Sequence, residues 1–406
     1  MATNNFDAVY KTAFGKLDEQ LQQMTASMVI KGNSFAGKFA GGAKTATIDN
    51  VKEGVVSDNV YGADNSIQTF TAQSDTMVLD STPEYSFTMD DYNRNVYQND
   101  GQFLANRLGN AQKVLKRSFE GNFFGKVTEA NRQIDGALFG AAAGSGVDLT
   151  SVSVQNLLAR STSYIAEGAG QRSNMCAVIN HDVASFIVSS NVALGFKNAD
   201  KVLENGLIGS SLGVDFYVSD FLTHERTYTF AGRAADAETF NFLKDVDGNA
   251  VGFKLIANGG ALGAAGDMIK GANLAADLVV MAAALNNPGT TTATYQAQTS
   301  NKKLAALKGI TATATGTTLT IKYKFGKWFT DTIGDLTNVT AGTILCYNYF
   351  GIKGGIDMET PFGIRSFIRE ESQRSDVNYL TESISGYAVT TRNKNMFSPM
   401  LTQSLW

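Results

Sequence analysis

Proline is almost missing from this chain, at four residues in 406. Rigid proline linkers are therefore excluded, and with 40 glycines the chain must turn through hinged, unhindered backbone instead. Cysteine and histidine are as scarce, two of each. Cys176 and Cys346 lie far apart, each in an apolar strand-like run. They read as buried reduced thiols, although spacing alone leaves a disulfide open. Four such ligands dispersed through the chain cannot be written as a zinc site. Basic charge is also short: 34 Lys and Arg face 38 Asp and Glu, a net charge of −4. A protein that reads nucleic-acid sequence would be expected to be basic, so that class is disfavoured. No apolar run approaches the length of a membrane span, and MATNNFDAVYKTAFG holds no continuous apolar core of a signal peptide. The chain is expected to be made in a cytosol and to stay soluble or assemble there.

The length calls for two or three subdomains, and 43% hydrophobic residues suffice to give each a core. Phe6, Tyr10, Ala13, Leu17, Leu21, Met24 and Met28 recur at steps of three and four, which predicts an amphipathic helix over Phe6–Met28. It can dock on its own domain or serve as an arm on a neighbour. GNSFAGKFAGGAKTATIDNVKEG then leads to β-alternating pieces at Thr45–Ile48 and Met77–Asp80, the pattern of an extended two-stranded ribbon. A lone ribbon is marginal and gains stability by lying on another subunit. Tyr85, Phe87 and Met89 alternate as a closing strand. From Leu104 through Leu108, Ala111, Leu115, Phe119 and Phe123 to Val127 an apolar stripe predicts one long helix over Tyr92–Val127. Between Tyr92 and Gln133 seven basic residues (Arg94, Arg107, Lys113, Lys116, Arg117, Lys126, Arg132) stand against three acids. This is either a solvated face or a mildly basic surface toward packaged nucleic acid.

A second helix follows over Val154, Leu157, Leu158, Ser161 and Ile165. In Asn174–Leu222 a buried strand (Met175–Ile179), a cap at Asn180 or Asp182, and a helix (Val183–Val188) come first. Glycine-punctuated turns at Asn205-Gly206, Gly209 and Gly213 then lead to a strand at Val214–Ser219. After Leu222, Thr227–Phe230, Thr239–Leu243 and Val251–Ile256 read as strands, with Asp245–Asn249 as a hairpin turn. An Ala-rich helix and strands at Thr294–Gln298 and Thr317–Lys324 complete a small α+β module. Thr343–Phe350 and Ile364–Ile368 return to the parent domain, and SGYAVTTRNKNMF reads as the last strand.

Several motifs promise chemistry and fall short of it. Gly32–Phe39 nearly spells a phosphate-binding loop, but Phe39 stands where the Mg²⁺-binding hydroxyl belongs, and loop and strand follow where a helix is needed. Gly209-Ser210-Ser211-Leu212-Gly213 fits the nucleophile-elbow letters, yet its strand comes after Ser211. His181 lies upstream, and His224 is too close downstream for a hydrolase order. His181 reads as a turn histidine. Asp245-Val246-Asp247-Gly248-Asn249 begins like a calcium loop but lacks the closing Glu. Asp90-Asp91 and Glu370-Glu371 have no pocket argument and default to solvent or intersubunit ion pairs.

Taken in order, the pieces resemble the Hong Kong-97-type major capsid protein of tailed double-stranded DNA viruses. Phe6–Met28 is similar to the N-arm, and SFAGKFAGGAKTATID through EYSFTMDDYN to the extended E-loop. The Tyr92–Val127 helix resembles the spine helix of the P-domain. NMCAVINHDVASFIV through NGLIGSSLGVDFYVSDFL resembles the A-domain strand–helix–turn–strand, and NLAADLVVMAAALNN a helix recurrent in an inserted module of phage structural proteins. The resemblance implies an α+β Hong Kong-97-like fold: arm 1–34, E-loop 35–91, P-domain 92–173, A-domain 174–226, insertion 227–325 and return 326–406. It implies a structural protein, not an enzyme, assembling as pentamers and hexamers into an icosahedral virion shell. No catalytic, cofactor-binding or metal residue is implied. The implied partners are copies of itself, scaffolding, portal and decoration proteins, and packaged DNA without sequence reading, with assembly in the host cytoplasm and no membrane. Because the chain starts at Met1, a separate scaffolding protein is expected. An encapsulin-like compartment and another phage structural or adhesion module are the alternatives.

Overall fold

The computed structural model describes residues 5–39, 42–51, 72–97, 100–189, 207–211, 213–325, 329, 333–336, 338–370 and 377–404. The N-terminal stripe folds as three helices rather than one: α1 (Asn5–Gly15), α2 (Leu17–Met24) and α3 (Ala26–Ile30). Thr25 is extended (φ −111°, ψ 126°), and its hydroxyl bonds back to the Leu21 carbonyl at 2.7 Å, which ends α2 and starts α3. The periodicity survives the breaks. Phe6, Tyr10, Phe14, Leu17, Leu21, Ala26 and Ile30 are all buried within the same chain, so the arm docks on its own body.

Strands β1 (Thr45–Val51) and β2 (Ala72–Ser81) form the expected antiparallel ribbon, Thr45 opposite Val78 and Val51 opposite Ala72. Then come β3 (Glu84–Met89), α4 (Asp91–Tyr97) and α5 (Gly101–Gly125). The long helix is thus divided, because Asp100 caps a new start: its carboxylate accepts the Gln102 and Phe103 amides at 3.0 Å each. Helix α5 runs through Gly109 and Gly121, and at Gly121 the missing side chain matters. A Cβ there would lie 2.1 Å from the Phe325 ring, so glycine permits that ring to seat on the helix. Helix α6 (Val154–Ala169) is capped by Ser153.

Next follow β4 (Met175–Ile179), α7 (His181–Ser189), β5 (Leu207–Ser211), β6 (Val214–Val218), β7 (Thr223–Phe230), β8 (Thr239–Lys244), β9 (Ala250–Ile256) and β10 (Asp267–Ile269). Helices α8 (Leu274–Asn286) and α9 (Asn301–Leu307) precede β11 (Ile310–Thr315), β12 (Thr318–Tyr323), β13 (Val339–Ala341) and β14 (Leu345–Ile352). The chain ends with β15 (Asp357–Glu359), β16 (Ile364–Glu370), β17 (Val377–Ser383), β18 (Ser385–Ala388) and β19 (Phe397–Gln403). Two expected strands are corrected. Within Thr294–Gln298 only Tyr295 bridges, to Met268. SGYAVTTRNKNMF is β18, a loop and a single helical turn, and the last strand is β19 beyond it.

The largest sheet runs β11-β12-β7-β14-β4-β6-β5, with β13 also on β7 and β19 on β14. Only β4 and β6 pair in parallel within it, as a strand–helix–strand crossover requires. Segment 227–325 has its own hydrophobic core around Phe240, Phe242, Leu278 and Tyr295 and its own three-stranded sheet, β10-β9-β8, but its strands β11 and β12 belong to the large sheet. Strand β7 already begins at Thr223, and it joins β12 on one side to β14 on the other. A second sheet, β16-β17-β3, carries the aromatic core under α1. Tyr379 lies 5.3 Å from Phe6, 4.9 Å from Tyr10 and 5.0 Å from Phe87, ring centre to ring centre. Each such pair adds about 0.5–1.5 kcal/mol to the burial itself.

Candidate assembly surfaces

The residues that sequence reading singled out for chemistry do not converge. In the phosphate-loop lookalike, Phe35 and Phe39 are buried against Ala46, Met77 and Leu79, so the segment is the hydrophobic root of the ribbon. Gly32 pairs with Asp357, and the Ser34 amide donates to the Asp357 carboxylate at 2.8 Å. Ser211 ends β5, a strand absent from the sequence reading, and the chain turns through Gly213 (φ +79°) straight into β6. Strand on both sides and no following helix is a hairpin, not a nucleophile elbow. Asn205-Gly206 lies outside the described residues.

His181 and His224 are used separately. His181 Nε2 lies 2.5 Å from Asp220 Oδ1 on the surface, while His224 is buried with Nδ1 3.0 Å from the Leu222 carbonyl. The cap choice falls to Asn180, whose side-chain oxygen accepts the Val183 amide at 3.0 Å. Both cysteines are buried thiols outside any disulfide, and burial pushes the Cys176 thiol up to about 12. Cys176 stands opposite Gly351, five residues along β14 from Cys346. That separates them by about 16 Å, far beyond disulfide reach. Asp245 closes its hairpin on itself, accepting the Asp247 and Asn249 amides at 3.0 and 2.8 Å. Asp90 caps α4 through the Asn93 amide, and Glu370 ends β16. Among the described residues no group of three or more His, Cys, Asp or Glu is placed to hold a metal ion, and no helix is long and apolar enough to cross a membrane.

The basic excess of the long-helix region is largely spent inside the chain. Arg94 pairs with Asp7 at 2.7 Å, and Arg107 lies over the Phe87 and Phe103 rings. Arg117 donates to the Tyr323 hydroxyl at 2.7 Å, Lys126 pairs with Glu129, and Arg132 with Glu167. Lys113 is the exposed member of the set. This face is a hub of internal contacts more than a free cationic stripe.

What the body offers outward is a ribbon and a few apolar side chains. The four-stranded sheet runs β1-β2-β18-β15, and β18 supports β2 only at Leu79 and Ser81. The far part of the ribbon, from Ile48–Asp75 outward, therefore has no third strand, and β1 is an open edge among the described residues. Such an edge is a template for pairing unless it is covered. The last tie to the body is at Asp75, which accepts from Thr391 through both amide and hydroxyl, at 3.0 and 2.8 Å. Tyr92 (76% exposed) and Val96 stand four residues apart and exposed on α4, and Val9 is exposed on α1.

Two buried carboxylates join segments distant in sequence. Glu120, fully buried on α5, accepts the Ala26 amide at 2.9 Å and the Ser219 hydroxyl at 2.5 Å. Burial pushes its carboxyl above the usual range. Asp357, also fully buried and pushed up by burial, takes the Ser34 amide and the Asn393 side chain. Sequence reading missed both, since an acid inside an apolar stripe carries no mark of its partners.

No family model and no curated protein matches this sequence. Among solved structures, the chain is similar to one titled "Mycobacterium phage Che8", with TM-score 0.46 and 10% identity over 92% of this chain and 90% of that one. It is similar to "Acidic stable capsid structure of Helicobacter pylori bacteriophage KHP30" (TM-score 0.45, 8% identity, 94% and 92% covered). It is similar also to "Capsid of Ralstonia phage GP4" (TM-score 0.44, 8% identity, 89% and 84% covered).

Proposed function

We propose that this chain is the shell-forming subunit of a tailed double-stranded DNA bacteriophage capsid, assembling as pentamers and hexamers into an icosahedral shell. The observation that carries the reading is the ribbon. Residues 45–51 and 72–81 form a two-stranded ribbon with an open edge among the described residues, tied to Thr391 through Asp75. A two-stranded ribbon is marginal alone, and a neighbouring copy that covers it stabilises both. The order of parts along the chain supports the same reading: arm 1–34, E-loop 35–91, P-domain 92–173, A-domain 174–226 with 326–406, and insertion 227–325. In this reading the chain is not an enzyme and has no catalytic, metal or cofactor residues. Scaffolding, portal and decoration proteins are its partners, it sits in the virion after assembly in the host cytoplasm, and its contact with DNA is non-specific. Negative-stain microscopy of the expressed protein, alone and with its scaffold, is the test. Closed particles or capsomers are expected; a small monomer persisting at high concentration overturns the reading.

A further inference from the structure

The end of the ribbon, the middle of α5 and the close of segment 227–325 enclose one cleft of about 400 Å³, lined among others by Asp80, Ser81, Ser118, Asn122, Lys308 and Lys324. Lys324 reaches it by laying its stem along α5. A Cβ at Gly125 would be 3.2 Å from Lys324 Cδ and 3.3 Å from Cε, so the glycine makes the groove for that stem. The ammonium is half-buried, and burial followed by repulsion from Lys126 holds its pKa below the usual range. The acids nearby are Asp80 and Glu129, and Glu129 is already bonded to Lys126 at 2.8 Å. Among the described residues no hydrogen-bond acceptor or carboxylate closes on the Lys324 ammonium. Asn122 donates to Ser81 Oγ at 3.0 Å. Lys308 stands exposed at the rim.

A half-desolvated ammonium has lost water without gaining a partner, and an incoming carboxylate restores what was lost. The space suits one acidic side chain. A polyanion is a poor fit, because Asp80 offsets one of the two lysines and most of the α5 cations are engaged elsewhere. On the shell reading above, on which this inference rests, each copy is surrounded by copies of a net acidic chain. We propose that the Lys324 cleft receives an aspartate or glutamate side chain of a neighbouring copy. That contact fastens two subunits where the ribbon root, the long helix and segment 227–325 of one of them meet.

The test assembles particles from a mixture of ¹⁴N- and ¹⁵N-labelled chains, treats them with a zero-length carbodiimide, and maps the joined peptides by mass spectrometry. The expected product is an isotopically mixed peptide linking Lys324 to an acidic side chain. Lys324 joined only within its own chain, to Asp80 or Glu129, or left unjoined while other intersubunit links form, overturns this contact and leaves the shell reading standing. A chain that remains monomeric overturns both. In parallel, Lys324→Met is expected to leave the monomer's melting unchanged and to lower particle yield by about tenfold or more, with Lys324→Arg retaining it. Unchanged particle yield in Lys324→Met counts against the contact.

Discussion

With no exposed surface and two donors at hydrogen-bond distance, Glu120 ties the start of α3 and the residue after β6 to the last third of α5. Desolvation raises its pKa, while Lys116, Ser219 and the Ala26 amide pull it down and Asp220 pushes it up. A carboxyl whose folded pKa lies above the unfolded value of about 4.3 holds its proton more tightly in the folded state. Its contribution to stability is therefore complete below that unfolded value and is lost as pH rises through the folded one. In Glu120→Gln the amide can still accept from Ala26 and donate to Ser219, but it cannot titrate. Urea melts from pH 4 to pH 8 should show wild type losing stability relative to Glu120→Gln as pH rises. Equal slopes for the two proteins would refute this assignment. Glu120→Ala leaves the Ala26 amide and the Ser219 hydroxyl unpaired beside a cavity, and a loss of about 2–4 kcal/mol at pH 5 is expected.

At the scale of elements, the N-terminal helices behave as part of the body. Tyr379 donates to Asp7 at 2.7 Å, Asp7 pairs with Arg94, and the Tyr10 hydroxyl lies 3.0 Å from that of Thr381. Removing residues 1–24 strips the cover from Phe87, Tyr379 and Phe103, so the truncated chain is expected in inclusion bodies, read out as soluble yield. A soluble truncated chain with native melting would instead make the segment a detachable arm. The same elements mark how far sequence could carry the reading. The stripes of α1–α3 and α5 were legible, because burial of one helical face leaves a period that side chains alone reveal. Their breaks at Thr25 and Asp100 depended on capping bonds, which periodicity does not report. Strand β17 alternates Val377, Tyr379, Thr381 and Ser383 toward the core, a signal present and passed over. Strand β5 had none, since LIGSS is poor in strand formers and owes its shape to pairing with β6. The clefts and buried acids were not legible at all, since they join residues far apart in the chain.

For the molecule as a whole, the question is whether segment 227–325 can be lifted out. Its separate hydrophobic core and the hairpin at Asp245–Asn249 suggest a module, and a short linker in its place would then leave the rest folded. The large sheet argues otherwise. Thr223 and Glu225 of β7 pair with Tyr347 and Leu345 of β14, while His224 through Thr229 pair with β12. Cutting at 227 leaves half of β7 behind and takes all of β12 away. Beyond 325, Phe329, Ile333, Leu336 and Val339 pack against the segment's core and lose their partners too. On α5, Gly121 faces the Phe325 ring and Arg117 the Tyr323 hydroxyl, both gone after the cut. An interior strand shared by two cores ties their stabilities together, so they are expected to unfold as one unit. Deleting 227–325 should therefore yield no soluble chain, and thermal unfolding of the intact protein followed by circular dichroism should show a single transition. A soluble deletion product that melts like the parent would mean that β14 can hold the sheet without β7 and β12, and that the segment is an ornament on a body complete without it.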